Sequence, residues 1–300
     1  MTDLLFLYAE SPVHAGGAES IGSVDLPIQR EAATRLPTIW GQSLKGAIRE
    51  HASRRWVSTD VDAIFGEAPP LGGDAPSPGA LSVGDARLVA FPVPTLENTF
   101  AWVTSPLALG RVSRLTGLAG ITTQPSSPRA ISPDWCLPSA ASEWPESEIA
   151  LGDLVVRPTA GDGDDLGKWA AWLACHALPG PTAVPDYFRD KLGRHLVLVD
   201  DSVLSELSQQ HTEVVARVRL ASGSKTVDPG GLWYEEHLPA ESILVAPIDW
   251  RGAGDAHPES KHRALLRELL HEQILVVGGN ESVGKGLMWC TFARRGDGDA

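Results

Sequence analysis

Asp25 lies near the end of a glycine-studded stretch that starts at His14 and reads HAGGAESIGSVDLPIQRE. A short basic segment follows from Gly41, GQSLKGAIREHASRRW, with Lys45, Arg49, Arg54 and Arg55 as its cations. Small residues let a backbone or a ligand come close. Lysine and arginine hold phosphates. A carboxylate beside such a surface can hold a metal ion next to a phosphodiester. Each residue also has a plainer reading. Asp25 precedes Leu26-Pro27, and the proline keeps the chain extended there, so Asp25 is either a turn-stabilising acid or a ligand. His14, at the mouth of the same loop, is either a packed neutral ring or a titratable partner. Lys45 falls in the first turn of its helix, where the macrodipole disfavours a cation unless an anion is bound. It is thus a solvated lysine or one side of a phosphate site.

A second group of chemistry-bearing residues lies far along the chain. Glu213–Leu220 alternates, with Val214, Ala216, Val218 and Leu220 on one face and Arg217 and Arg219 on the other. ASGSKTVDPGG then leads to LWYEEHLP, a pattern that predicts a long hairpin. Trp233, Tyr234, Glu235 and Glu236 sit on its return strand, where aromatics beside acids either stack on bases and approach a ribose or pack the hairpin onto the body. Two motifs look more informative than they are. Gly279–Lys285 matches a phosphate-binding G-x-x-x-x-G-K, but Gly286 replaces the magnesium-holding hydroxyl and a strand, not a helix, follows. The segment reads as a tight turn, or as a glycine loop whose free N–H groups line a polyanion. Asp162-Gly-Asp164-Asp165 starts like a calcium loop, yet Leu166 and Leu173 occupy the positions where oxygen ligands are needed, which leaves an acidic solvated loop.

The elements that must position these residues follow from periodicity. Leu4–Tyr8 reads as a buried strand, 42–56 as a helix, Leu81–Phe91 as a strand ended by Pro92 and Pro94, and Ser105–Leu118 as a helix. Residues 68–79 form a breaker-rich loop and 119–145 an irregular Pro/Ser-rich stretch. Lys168–Leu178 and Asp201–Gln210 are helical, Ile243–Ile248 is a strand, Ser260–Gln273 a helix and Leu287–Phe292 a last strand. The order strand, helix, strand, insertions, strand, helix, strand predicts an α+β, ferredoxin-like core carrying two insertions.

Bulk properties bound the function. The chain has 300 residues, 43% of them hydrophobic and 21% charged, enough for a substantial globular core. Its net charge of −13 argues against a generic nucleic-acid binder. The charge is uneven, however: acids dominate 143–165, while 100–129 carries Arg111, Arg114 and Arg129 and no acid. Local potential, not the total, steers a polyanion. The 3 cysteines are widely spaced and read as free thiols. No apolar run reaches the ~20 residues of a membrane span, and the N-terminus lacks a signal-peptide pattern, so a cytoplasmic protein without a membrane partner is expected.

Taken together, HAGGAESIGSVDLPIQRE, PTIWGQSLKGAIRE, SVGDARLVAFPV, GGLWYEEHLP and GGNESVGKGLMW resemble the backbone RAMP subunits of type III-B CRISPR effectors, the fourth subunit of the Cmr complex. The similarity is weakest between about 119 and 200. The resemblance implies an RNA-recognition-motif-like palm over about 1–100 and 241–295, a helical fingers insertion over about 101–210, a hairpin thumb over about 211–240, and a frayed tail at 296–300. It implies copies stacked in a helical filament on a CRISPR guide RNA, beside other type III effector subunits. The thumb would interrupt the guide–target duplex, and target RNA would be cleaved at regular intervals. Asp25 corresponds to the principal catalytic residue, with looser roles for His14, Tyr234 and Glu235. Lys45 corresponds to a guide-backbone contact, and the wider RNA-facing set is Ser43, Arg49, Arg217, Arg219, Trp233, Gly284, Lys285 and Gly286.

The chemistry this implies is attack of a ribose 2′-OH on its own phosphodiester. An unperturbed Asp, with a pKa near ~3.9, is a weak base at neutral pH. Asp25 is therefore expected to hold a divalent ion, magnesium or manganese, together with substrate phosphate. Competing readings are a non-catalytic guide-RNA scaffold, the equivalent subunit of the type III-A (Csm) complex, and a stand-alone repeat-processing nuclease.

Overall fold

Residues Thr2–Ala9 form strand β1, buried along its whole length after Thr2. In this computed structural model, which describes residues 2–17, 24–67, 77–159, 163–180, 185–223, 226–251 and 258–294, the reason is visible on both faces. Leu5, Leu7 and Ala9 enter one hydrophobic cluster, and Leu4, Phe6 and Tyr8 enter another. A strand covered on both sides reads as a continuous apolar run, not an alternating one.

The chain continues through β2 (Thr38–Ile39), α1 (Gly41–Ser53), α2 (Ser58–Phe65), β3 (Leu81–Val83), β4 (Ala86–Thr95) and β5 (Thr99–Thr104). After these come α3 (Pro106–Ala119), β6 (Trp135–Pro138), β7 (Ile149–Leu151), β8 (Leu154–Pro158), α4 (Gly163–His176), α5 (Asp186–His195), β9 (Leu196–Leu198) and α6 (Asp201–Gln210). The last part comprises β10 (Glu213–Leu220), β11 (Val227–His237), β12 (Ile243–Trp250), α7 (Pro258–Leu270), β13 (Gln273–Val276) and β14 (Leu287–Phe292).

Strand order in the central sheet runs β13-β14-β1-β12-β4, with every one of these neighbours antiparallel. β14-β1-β12-β4 is the ferredoxin-like arrangement, as expected. The sheet does not stop there. β4 passes beyond its pairing with β12 and continues into β5, β9, β6, β8 and β7. One cluster gathers apolar residues of α1, α2 and α7, and the other those of α3, α4 and α5. The inserted helices therefore cover the sheet face that a bare ferredoxin-like core leaves open.

Several expectations need correction. Pro92 and Pro94 do not end their strand; β4 runs through both to Thr95. β12 pairs with β4 only as far as Ala90, so neither proline faces a partner of that strand with its missing N–H. The Leu81–Phe91 strand breaks at Gly84-Asp85 into β3 and β4. The 119–145 stretch contains β6, which carries the buried Cys136. β5, β9, β13 and α5 had no prediction, because three are short and α5 is strongly polar. The hairpin forms as expected from β10 and β11, but its apolar face is not packed: Val214, Val218, Leu220, Val227 and Leu232 are each about half exposed. The tail at 296–300, residues 68–76 of the breaker-rich loop, 18–23 of the glycine-studded loop and Asp162 lie outside the described residues.

Candidate active site and nucleic-acid interface

The loop that bears Asp25 is a third strand laid against the base of the hairpin. Leu26 N–H donates to the Tyr234 carbonyl at 3.0 Å, and Glu236 N–H donates to the Leu26 carbonyl at 2.9 Å, in parallel register. The extended conformation enforced ahead of Pro27 makes that pairing possible. Asp25 is exposed, and its Oδ2 accepts the Tyr234 N–H at 2.8 Å. Among the described residues nothing bonds Oδ1. Among those residues the carboxylate is thus held by one oxygen only.

His14 reaches the same hairpin from the other arm of the loop. Val13 exchanges both backbone hydrogen bonds with Leu238 at 2.8 Å, and Gly279 N–H donates to the His14 carbonyl at 3.0 Å. The approach of the glycine loop is too close for a side chain at Gly278, whose φ is +84° and where a Cβ would meet the His14 carbonyl oxygen at 2.3 Å. His14 Nδ1 lies 2.7 Å from the Glu236 carbonyl. A carbonyl only accepts, so Nδ1 carries the proton in the neutral ring and Nε2 is the available acceptor.

Adjacent carboxylates on β11 point to opposite faces and do different work. Glu236 is buried and accepts from Arg30 at 2.6 Å, Thr212 at 2.8 Å and the Ile28 N–H at 3.0 Å, which ties the Asp25 loop to the hairpin. Glu235 is also buried and accepts from Trp233 Nε1 at 2.9 Å, Arg217 Nε at 3.1 Å and Asn280 Nδ2 at 2.9 Å. Burial alone would raise its carboxyl, but Trp233, Arg217, Asn280 and His14 outweigh that and hold it below the ordinary range. Both of its oxygens are occupied, unlike Asp25.

Of the expected site residues, the structure brings together Asp25, His14, Tyr234, Glu235, Trp233 and Arg217 around the hairpin base. Tyr234 is exposed beside Asp25, while the Trp233 indole N–H is committed to Glu235. Arg219 sits further along the hairpin on Asp228 at 3.4 Å. Ser43 joins the periphery, accepting from Gln29 Nε2 at 3.2 Å; Gln29 also donates to the Gly16 carbonyl and accepts the Trp40 N–H.

Lys45 and Arg49 are not brought to Asp25. They project about 200° and 240° around α1 from Ser43. Lys45 donates to the Leu81 carbonyl at 2.9 Å, and Arg49 pairs with Asp62 at 3.2 Å. Burial, then Arg251 and Arg49, lower the Lys45 pKa. Lys45 is the fifth residue of α1, beyond its first turn. The anion at that helix start is the chain's own: Asp85 Oδ1 accepts the Gly41 N–H at 2.7 Å.

The glycine loop is likewise a structural turn. Gly279, Gly284, Lys285 and Gly286 donate their N–H groups to His14, Glu281, Asn280 and Pro12 respectively, so these are not free for phosphate. Lys285 retains a partly exposed ammonium 4.0 Å from Glu213.

His237, Asn280, Arg30 and Gln29 had no prediction. His237 is fully buried, with neither ring nitrogen hydrogen-bonded among the described residues, and its ring lies 5.5 Å from that of His14. Burial, then His14 and Lys285, push its pKa down against Glu235. The only signal for Asn280 was its place in a glycine-rich turn, where Asn tolerates left-handed backbone. Among the described residues no cluster of three or more His, Cys, Asp or Glu is arranged to hold a metal. The half-free carboxylate of Asp25 fits a single contact to a hydrated divalent ion that takes its other ligands from water and phosphate.

A family model described as the RAMP superfamily matches residues 6–289. The chain is 34% identical over 302 residues to the "CRISPR system Cmr endoribonuclease Cmr4" of Pyrococcus furiosus, covering 96% of this chain and 95% of that protein. The fold superposes on the crystal structure of oligomeric Cmr4 from Pyrococcus furiosus with a TM-score of 0.72 and 27% identity, over 97% of each chain. It shares its fold, at a TM-score of 0.72 and 21% identity over 97% of each chain, with a chain in a type III-B Cmr-beta complex bound to cognate target RNA.

Proposed function

Because this chain belongs to the RAMP superfamily, we propose that it is a guide-RNA-binding backbone subunit of a type III-B CRISPR effector that cleaves complementary target RNA endonucleolytically at regular intervals. The observation that carries the reading is Asp25, exposed, with one oxygen held by the Tyr234 N–H at the foot of an apolar, solvent-exposed hairpin. The similarity to an endoribonuclease over 96% of the chain supports the activity. In this reading the ferredoxin-like sheet is the palm, 101–210 the fingers and 211–240 the thumb. Copies of the chain stack along a guide RNA in the cytoplasm beside other effector subunits.

The ribose 2′-oxygen attacks its own phosphorus and the bond to the 5′-oxygen breaks; the 5′-oxygen takes a proton from water, giving a cyclic phosphate and a 5′-OH. The A-form helix forbids the in-line geometry this needs, and an exposed hairpin inserted between base pairs splays one nucleotide into it. His14 Nε2 is an acceptor for the 2′-OH proton. Asp25 is the residue that would hold a divalent ion, magnesium or manganese, which when bound supplies charge stabilisation at the phosphate. The guide backbone lies along α1, where Lys45 and Arg49 exchange their contacts to Leu81 and Asp62 for phosphate.

The test is Asp25→Asn in a complex assembled with guide RNA. With the loss of the several kcal/mol of charge stabilisation that a bound ion supplies, cleavage of labelled target should fall by about 10²–10⁴-fold with target affinity retained. An unchanged rate overturns the assignment. Tight target binding with no chelator-sensitive cleavage by the wild type would assign the chain the scaffold role instead.

A further inference from the structure

Asn280 is an L-residue in left-handed backbone, with φ +67°. Its side-chain amide closes a ring with two hairpin residues. Nδ2 donates to Glu235 Oε2 at 2.9 Å, and Oδ1 accepts from Arg217 Nη2 at 2.9 Å. Arg217 Nε donates to that same Glu235 oxygen at 3.1 Å. One carboxylate, one guanidinium and one amide therefore satisfy one another, half-hidden from solvent, across the joint between glycine loop and hairpin.

The chain neighbours of this ring give it meaning. Glu235 follows Tyr234, whose N–H holds Asp25. Asn280 follows Gly279, whose N–H holds the His14 carbonyl. The ring thus joins the segment that fixes Asp25 to the glycine loop that holds the His14 carbonyl, and it works beside the direct bond from His14 Nδ1 to the Glu236 carbonyl at 2.7 Å. We infer that Asn280 is a positioning residue for RNA cleavage: acting through Glu235 and Arg217, it braces the glycine loop behind His14 against the strand that holds Asp25. The inference rests on the cleavage reading above. Asn280 itself touches neither RNA nor the reacting atoms.

Asn280→Asp keeps the left-handed backbone and the Arg217 contact but sets two carboxylates against each other. Glu235→Gln leaves two amides facing Arg217. The double variant Glu235→Gln/Asn280→Asp restores one carboxylate, one amide and one guanidinium with their places exchanged, so it is a direct test of the ring. Single-turnover cleavage and target affinity are measured on complexes assembled with guide RNA. Each single variant should slow cleavage by about 10–100-fold, the scale of a small misplacement of reacting groups, with target affinity within about twofold. The double variant should recover most of the rate.

Asn280→Asp cutting at the wild-type rate, affinity falling in parallel with rate, or a double variant slower than both singles would overturn the inference. Should Asn280→Asp fail to assemble, Asn280→Gly, which keeps the backbone and removes the amide, should show the same rate loss; a wild-type rate there overturns it equally. A wild-type complex that does not cut overturns the functional reading and this role with it. An active wild type beside an equally active Asn280→Asp overturns this role alone.

Discussion

Arg30 and Glu236 form a buried ion pair between the Asp25 loop and the hairpin, and its removal should release that loop. The two side chains are only 5% and 8% exposed at 2.6 Å. Glu236→Ala strips Arg30 of its carboxylate while the guanidinium stays buried, and it leaves the Ile28 N–H and Thr212 hydroxyl without their acceptor. Breaking one side of a buried pair costs about 3–5 kcal/mol, because the remaining charge stays out of water. At about 2–4 °C per kcal/mol for a domain of this order of size, the melting midpoint should fall by roughly 6–20 °C. Glu236→Gln keeps an acceptor and should lose only about 1.5–3 kcal/mol. Arg30→Met added to Glu236→Gln removes the orphaned charge and should recover more than half of that loss. The assay is thermal and urea unfolding of the wild type, both Glu236 singles, Arg30→Met and the double variant. A Glu236→Ala cost below about 1 kcal/mol, outside the range for an uncompensated buried charge, or losses in the double that simply add, would refute the burial argument.

Two further outcomes follow from single residues. Glu241, between β11 and β12 where the hairpin joins the central sheet, has its pKa raised to about 7 by burial. The folded chain therefore keeps a proton that the unfolded chain loses, so stability declines as pH rises from about 4.5 through 7, by on the order of 3 kcal/mol. Glu241→Gln should abolish that decline, and unfolding free energies compared at pH 5 and pH 8 check it; equal pH dependence in both proteins would refute it. At Gly286, with φ +80°, a Cβ would meet the Val277 carbonyl oxygen at 2.3 Å, whereas at Gly284, with φ +76°, it meets nothing within 4 Å. Gly284→Ala should cost only about 1–2 kcal/mol of left-handed strain and Gly286→Ala distinctly more, read as the difference between their thermal midpoints.

How much of this was legible beforehand depended on the range of the interaction. β14 and α6 lie where periodicity put them, because an apolar repeat reports a buried face regardless of what covers it. β5, β9 and α5 were not legible, since the three-residue β9 is too short to show a period and α5 buries polar Lys191 and His195 beside Leu192, so its inward face carries no apolar repeat. The exposed apolar face of the hairpin inverted the usual inference: alternation located the strand, but burial of its apolar side did not follow.

The local chemistry of the Asp25 site was readable: a proline-stiffened acid, a histidine at the loop mouth, and aromatics with paired acids on a hairpin. Those features need only nearest neighbours in the chain. Tertiary structure alone decided which groups meet. It placed Glu235 in a satisfied ring with Arg217 and Asn280, left one Asp25 oxygen without a partner among the described residues, turned Lys45 away toward Leu81, and supplied Asp85 as the anion at the α1 N-terminus. Each of those outcomes depends on hydrogen-bond partners many residues apart, and pairing at such separations is set by sheet register and helix rotation, which no local pattern encodes.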